Sequence, residues 1–125
     1  MTVTNRVIVG LSGASGASIG IRIVELLARS DGCEVHLVVS SAAERTLLEE
    51  VVPDALPYLR SLVANVHDYR DIGASIASGS FRTEGMIVAP CSIRTLTAIA
   101  GSHLDSLLVR AADVQLKERR RLVLM

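Results

Sequence analysis

The chain has 125 residues, half of them hydrophobic, with 2% aromatic side chains and a formal net charge of zero. That length holds one domain at most, built around an aliphatic core of Val, Ile, Leu and Ala. Zero net charge argues against a general binder of nucleic acid or acidic surfaces, and it leaves little repulsion to oppose self-association.

Arg6 to Leu11 is a β-branched apolar run of the buried-strand type, and Ala17 to Arg29 follows with helical spacing through Ile19, Ile23, Leu26 and Leu27. Asp31-Gly32 closes that unit. EVHLVV (Glu34 to Val39) predicts a second strand, Ser40-Ser41 opens a helix over Ala42 to Val51, and Pro53 and Pro57 mark a loop. In residues 58 to 80 the stretch DIGASIASGSF predicts a short helix running into a Gly/Ser loop. GMIVA (Gly85 to Ala89) is a third strand ended by Pro90. Helices are predicted over Ser92 to Ala100 and Ser106 to Arg119, and a fourth strand over Leu122 to Met125. Strands alternating with helices imply a parallel sheet covered on both faces.

That pattern leaves the final strand, RRLVLM, without a covering helix or a following loop. Either a partner supplies them or the chain is a fragment, and the fragment is the expectation. Cys33 and Cys91 lie far apart without framework spacing, which predicts no disulfide and fits a reducing compartment. The N-terminus has no charged-then-apolar signal pattern, and no apolar run approaches the ~20 residues that span a bilayer. A soluble cytoplasmic protein is expected.

The sequence VIVGLSGASGASIG (residues 7 to 20) places a glycine-rich turn between the first strand and its helix. The dinucleotide fingerprint G-x-G-x-x-G does not fit, because Ser12 stands at its second glycine. The second strand ends in Ser40-Ser41 rather than in an acid for a ribose. A Walker loop is excluded as well, since no Lys-Ser or Lys-Thr follows the glycines. What remains is a helix N-terminus with backbone N–H groups and the hydroxyls of Ser12 and Ser15, suited to a mononucleotide phosphate or an anionic flavin edge. The competing reading is that the glycines only permit close helix–strand packing. Ser40 and Cys91-Ser92-Ile93-Arg94-Thr95 put further hydroxyls at the next strand ends, which a parallel sheet lines up along one crevice.

SGASGASIG, HLVVS, DIGASIASGSF, MIVAPCSIRTLTAIA and LLVRAADVQLKERRRLVLM, in that order, resemble the UbiX-type flavin prenyltransferases from about residue 6 to the last residue. The resemblance implies a three-layer α/β fold, Rossmann-like or flavodoxin-like, assembled into a homododecamer with FMN at subunit interfaces. It implies transfer of a dimethylallyl group from dimethylallyl monophosphate to N5 of reduced FMN, with ring closure through C6 and no metal. The prenylated FMN serves a UbiD-type decarboxylase.

By position, the resemblance makes Gly13, Ala14, Ser15, Ser40, Ser92, Ile93, Arg94 and Thr95 the FMN contacts. Ser15 and Glu50 match residues that handle protons, with Glu49 as the competing carboxylate one helix step away. Arg110 and Lys117 match cations near the prenyl phosphate, Lys117 counting among the catalytic groups with Ser15 and Glu50. The family pattern continues past LVL into an R-E-T/A-P segment, then a tyrosine and an arginine. The chain is therefore expected to be the first two-thirds of the enzyme, a single flavoprotein domain over 1–125. Phe81 is a candidate wall of the prenyl pocket or a core residue, and Arg119 to Arg121 read as a solvated helix end. Two other readings stay open. One is a cysteine-decarboxylating flavoprotein of the same fold, which typically carries a P-A-S-x-N-T-like stretch where this chain has Pro90 to Thr95. The other is a non-catalytic flavin-binding remnant.

Overall fold

The computed structural model describes residues 5–51 and 53–125. Five parallel strands form one sheet in the order β3-β2-β1-β4-β5. They are β1 (Asn5–Leu11), β2 (Cys33–Val39), β3 (Asn65–His67), β4 (Gly85–Val88) and β5 (Arg121–Leu124). The helices are α1 (Ala17–Ala28), α2 (Ser41–Glu50), α3 (Ala55–Leu62), α4 (Ile93–Ala100) and α5 (Leu107–Lys117), with a 3-10 turn at Ser75–Ala77.

Alternation along the strands divides the core in two. Val9, Leu11, Val35, Leu37 and Val39 face α1, α2 and α3, where Val24, Leu47 and Leu59 are buried. Ile8, Val38, Met86 and Val88 face the 3-10 turn, α4 and α5, where Ile76, Ile99, Leu107, Leu108 and Ala111 are buried. Side chains of one strand thus feed both layers, as the period of two requires for a sheet covered on both sides. The two windings run outward from β1, one through β2 to β3 and the other through β4 to β5. Between β1 and β4 the direction of winding reverses, so the carboxyl ends of those two strands flank a crevice rather than a continuous cover.

The predicted strands and most helices agree with these bounds to within one or two residues. Two elements differ. Residues around Pro53 and Pro57, read as a loop, contain α3. Pro57 falls in its first turn, where a backbone N–H has no intrahelical partner to lose. β3 is only three residues long, too short to show an alternation.

Over β4 and β5 the face shared with α1 is open, and a groove of about 740 Å³ lies there against Val7, Leu27, Ile87 and Val123. It lies away from the strand-end turns. Among the described residues no helix is long and apolar enough to cross a membrane.

Candidate functional site

At the carboxyl ends of the strands a cleft of about 290 Å³ is lined by Gly13, Ser40, Tyr69, Ser92, Arg94, Thr95, Asp105 and Ser106, among others. Three helices begin at this cleft, each on a serine. Ser40 caps α2 by accepting the Ala43 N–H at 3.1 Å. Ser92 caps α4 by accepting the Thr95 N–H at 3.1 Å, and its hydroxyl lies 2.9 Å from that of Thr95. Ser106 caps α5 by accepting the Val109 N–H at 3.4 Å. A serine cap fixes the first helical turn and leaves the remaining first-turn amides aimed outward, with the positive end of the helix dipole behind them. Such an arrangement receives an anion. Arg94, exposed on the first turn of α4, adds a full positive charge at the rim.

The first turn fits against this frame by close contact. A Cβ on Gly13 would stand 2.5 Å from the Cβ of Ala42, so the turn rests directly on the start of α2. A Cβ on Gly20 would stand 2.3 Å from the carbonyl oxygen of Ala89, so α1 lies on the turn after β4. Gly16, at φ 98°, adopts the left-handed conformation that starts α1. Gly13 and Gly20 answer the packing reading of the glycines.

Ser15 is exposed in this turn. Glu50, the last residue of α2, accepts the backbone N–H of Gly16 through Oε2 at 3.3 Å. The carboxylate of Glu50 therefore stands one residue from Ser15. Between the two competing acids, Glu50 is the one that contacts the turn. Ile93 is 77% exposed on the outside of α4.

Ser12 is not the free donor the sequence suggested. It is 2% exposed, its hydroxyl donates to the Pro90 carbonyl at 2.7 Å, and it accepts the Ser92 N–H at 2.7 Å. Arg110 is half-buried one turn into α5, and its Nε is buried without a hydrogen-bond partner among the described residues.

Lys117 ends α5 at the opposite end of the sheet. Seven residues of helix at about 1.5 Å each separate it from Arg110 by roughly 10 Å. Its ammonium lies 3.9 Å from Glu118 and close to Gly79. Within one chain the cleft and Lys117 are not brought together.

Other candidates fall outside the cleft. Phe81 packs edge-on to His36, with ring centroids 5.1 Å apart, and lies under the Arg6 guanidinium at 4.3 Å. That places it near the amino ends of the strands, in the core. Arg120 is not part of a solvated face: it donates to the carbonyls of Phe81 (3.1 Å) and Gly79 (2.6 Å), fastening the Gly/Ser loop to the end of α5. Burial pushes the Cys91 thiol up, which disfavours the thiolate a nucleophile needs.

Sequence reasoning missed Tyr69, Asp105 and Ser106 at the cleft. Ser106 carried a usable signal, a serine directly before an apolar helical run, and was read only as a helix start. It also missed a partly buried chain of polar groups. His36, 4% exposed, bonds through Nε2 to the Glu34 carboxylate at 3.0 Å and through Nδ1 to His67 Nε2 at 2.9 Å. Arg6 bonds the same carboxylate at 2.9 Å. The bond from His36 first, and that from Arg6 next among the favourable contacts, hold the Glu34 carboxyl below its ordinary range.

Fold and cleft together define a doubly wound α/β protein whose helix N-termini gather at its switch point. The chain belongs to the flavoprotein family, whose model, described as Flavoprotein, matches residues 1–125. It is 58% identical over 120 residues to the flavin prenyltransferase UbiX of Thauera aromatica, covering 96% of this chain and 61% of that protein. Among solved structures it resembles AnUbiX in complex with FMN and dimethylallyl pyrophosphate, at 46% identity and a TM-score of 0.89 over 97% of this chain and 63% of that one. It also resembles a dodecameric FMN-dependent UbiX-like decarboxylase from Escherichia coli O157:H7, at 44% identity and a TM-score of 0.92 over 96% of this chain and 65% of that one. The chain thus spans about three-fifths of the length of the curated relatives it matches.

Proposed function

We propose that this chain binds FMN in the strand-end cleft and takes part in transferring a dimethylallyl group from dimethylallyl monophosphate to the reduced flavin. The observation that carries the reading is the convergence of three serine-capped helix N-termini on one cleft, in a chain this similar to UbiX proteins. FMN fits the donor set. Its phosphate dianion needs backbone N–H groups and a cation, which the first turn of α4 offers through the amides of Ile93 and Arg94, the Thr95 hydroxyl and the Arg94 side chain, the Ser92 and Thr95 amides being held by Ser12 and by the Ser92 cap. A flat ring system needs a floor without bulky side chains, which Gly13 and Ala14 provide. Reduced FMN supplies the electron-rich nucleophile for an allylic carbon.

The protein groups then have separate tasks. Gly13, Ala14, Ser15 and Ser40 border the flavin on the first two turns. Ser92, Ile93, Arg94 and Thr95 hold it at the third. Ser15 and Glu50 are placed to pass a proton, with Glu50 oriented by the Gly16 amide. The allylic phosphate gains negative charge as its C–O bond breaks, so a fixed guanidinium lowers the barrier. Arg110, which does not line the cleft itself and whose Nε has no hydrogen-bond partner among the described residues, is the guanidinium assigned to that part. Lys117 can reach such a site only from another copy of the chain, which an assembly like that of the Escherichia coli O157:H7 relative would bring. Residues 1–125 act in this reading as one flavin-binding domain in the cytoplasm, and the prenylated FMN passes to a UbiD-type decarboxylase.

The test is mass spectrometry of the flavin after anaerobic incubation of the protein with reduced FMN and dimethylallyl monophosphate. A flavin heavier by one dimethylallyl group is expected. Unmodified flavin that stays bound would reduce the function to flavin binding, and absence of bound flavin would overturn the reading altogether.

A further inference from the structure

Three hydrogen bonds join Ser12 to the turn after β4. Its backbone N–H and its hydroxyl both donate to the Pro90 carbonyl, at 3.1 and 2.7 Å, and its Oγ accepts the Ser92 N–H at 2.7 Å. These bonds lie between the ends of β1 and β4, at the reversal of the winding, one step past the last strand-type bond between them, from the Ala89 N–H to the Gly10 carbonyl at 2.9 Å. Ser92 is the cap of α4, and its hydroxyl continues the chain of bonds to Thr95. At 2% exposure Ser12 has no surface for a ligand.

We infer that Ser12 is a positioning residue: a buried strut that sets where the N-terminus of α4 stands relative to the glycine turn, and through it where the flavin phosphate is held. This rests on the proposed binding of FMN. The physical reason is geometric. A phosphate held by several N–H groups from two turns responds to changes of a few tenths of an ångström between them, because hydrogen bonds weaken steeply with misalignment. The turn after β4 is tied to the sheet by Ala89 N–H to the Gly10 carbonyl and by Cys91 N–H to the Met125 carbonyl, but its described hydrogen bonds to the glycine turn are those of Ser12. The strut supplies the missing constraint, and it requires a group that donates and accepts at once in a dry site. Among small side chains a hydroxyl does this.

The experiment compares the unaltered chain with Ser12→Ala and Ser12→Thr, by titration with FMN and with riboflavin, which lacks the phosphate, and by amide hydrogen exchange at Ser92 without flavin. Loss of the strut is expected to weaken FMN binding about tenfold, to leave riboflavin binding within about twofold, and to speed exchange at Ser92. Threonine, which keeps the hydroxyl, is expected to restore FMN binding. A general loosening of the protein would lower both affinities together, and that result overturns the inference. So does an alanine variant with unaltered FMN affinity and a still-protected Ser92 amide. If alanine prevents folding, Ser12→Cys keeps the bulk while weakening both bonds, and the same FMN-to-riboflavin comparison decides. Should the unaltered chain bind neither flavin, the functional proposal itself fails and takes this inference with it. Normal binding by the unaltered chain with an indifferent Ser12→Ala defeats the strut alone.

Discussion

Replacing Gly13 by alanine puts a Cβ 2.5 Å from the Cβ of Ala42 and 3.2 Å from the Ala42 carbonyl carbon. Carbon atoms in contact prefer about 3.5–4.0 Å, so the turn and the start of α2 must part by about 1 Å. The strain is purely steric, because Gly13 is not among the residues at positive φ. Overpacking of this size costs about 1–3 kcal/mol. Removing the opposing methyl tests the account directly. Ala42→Gly alone should cost under about 1 kcal/mol, the usual difference in helix propensity. With both changes the closest contact is gone and only the milder approach to the Ala42 backbone is left. Urea unfolding of the four proteins forms a double-mutant cycle, in which a favourable coupling of at least about 1 kcal/mol is expected. FMN titration gives a second readout, since displacing α2 also moves the Ser40 cap. Additive effects of the two substitutions would refute the claim that contact with Ala42 is what makes position 13 a glycine.

Burial, and after it the neighbouring His36, push the His67 imidazole below its ordinary value, against the opposing pull of Asp71. Its folded value lies below its unfolded one, so its contribution to stability is complete above about pH 6.5 and is lost as pH falls through the folded value. The slope for this one proton is at most about 1.4 kcal/mol per pH unit, and Glu34, Arg6 and His36 are the other charged or titratable groups in the cluster. Urea midpoints measured from mildly alkaline to mildly acidic pH should fall more in the unaltered protein than in His67→Gln, and parallel curves would count against the assignment. Arg120→Ala removes the charged donor on the Gly79 and Phe81 carbonyls and should cost about 1.5–3 kcal/mol, with faster amide exchange around residues 78–83. An unaltered melting temperature would show that loop to be held by other contacts. Gln115 is fully buried, accepts from Thr83 through Oε1 at 3.1 Å, and its Nε2 has no partner among the described residues. Thr83→Val should therefore destabilise by about 1–3 kcal/mol, whereas adding Gln115→Met should recover most of that loss. Thermal melts of the single and double variants check the order.

Much of the fold was legible because the central strands are largely aliphatic runs and every helix but α3 begins at a serine or glycine. VIVGL, EVHLVV and GMIV admit no other element at that length. α3 was hidden because prolines mark loops more often than first helical turns. β3 was hidden because its three residues depend on the neighbouring strand for their conformation. At the cleft, Ser40 and Ser92 were readable as caps next to strand ends. Ser12 was misread because a hydroxyl's partner seventy-eight residues away leaves no local trace. Arg120 was misread for the same reason, since a run of cations at a helix end ordinarily faces water. The pairing of His36 with His67 depends on which strand lies beside β2, a fact of topology rather than of pattern. Glu50, by contrast, touches the turn at the Gly16 amide, next to Ser15, where the family resemblance had set both residues.

The strand order bears on how the chain reaches its folded state. Contacts between β1 and β2 close loops of moderate length, as with Arg6 and Glu34, 28 residues apart. Contacts between β1 and β4 close far longer ones, as with Ser12 and Pro90, 78 residues apart. Loop-closure entropy must be met before such contacts reward it. The layer of α1, α2 and α3 can consolidate from residues up to Val66, while β1 still exposes its other face, Ile8 included, until β4 and α5 arrive. During synthesis the half-built sheet therefore presents an aliphatic edge for as long as it takes to make roughly the next twenty residues, about 1–4 s at ordinary elongation rates. The strand that ends up most sheltered is the one that waits longest for its second neighbour.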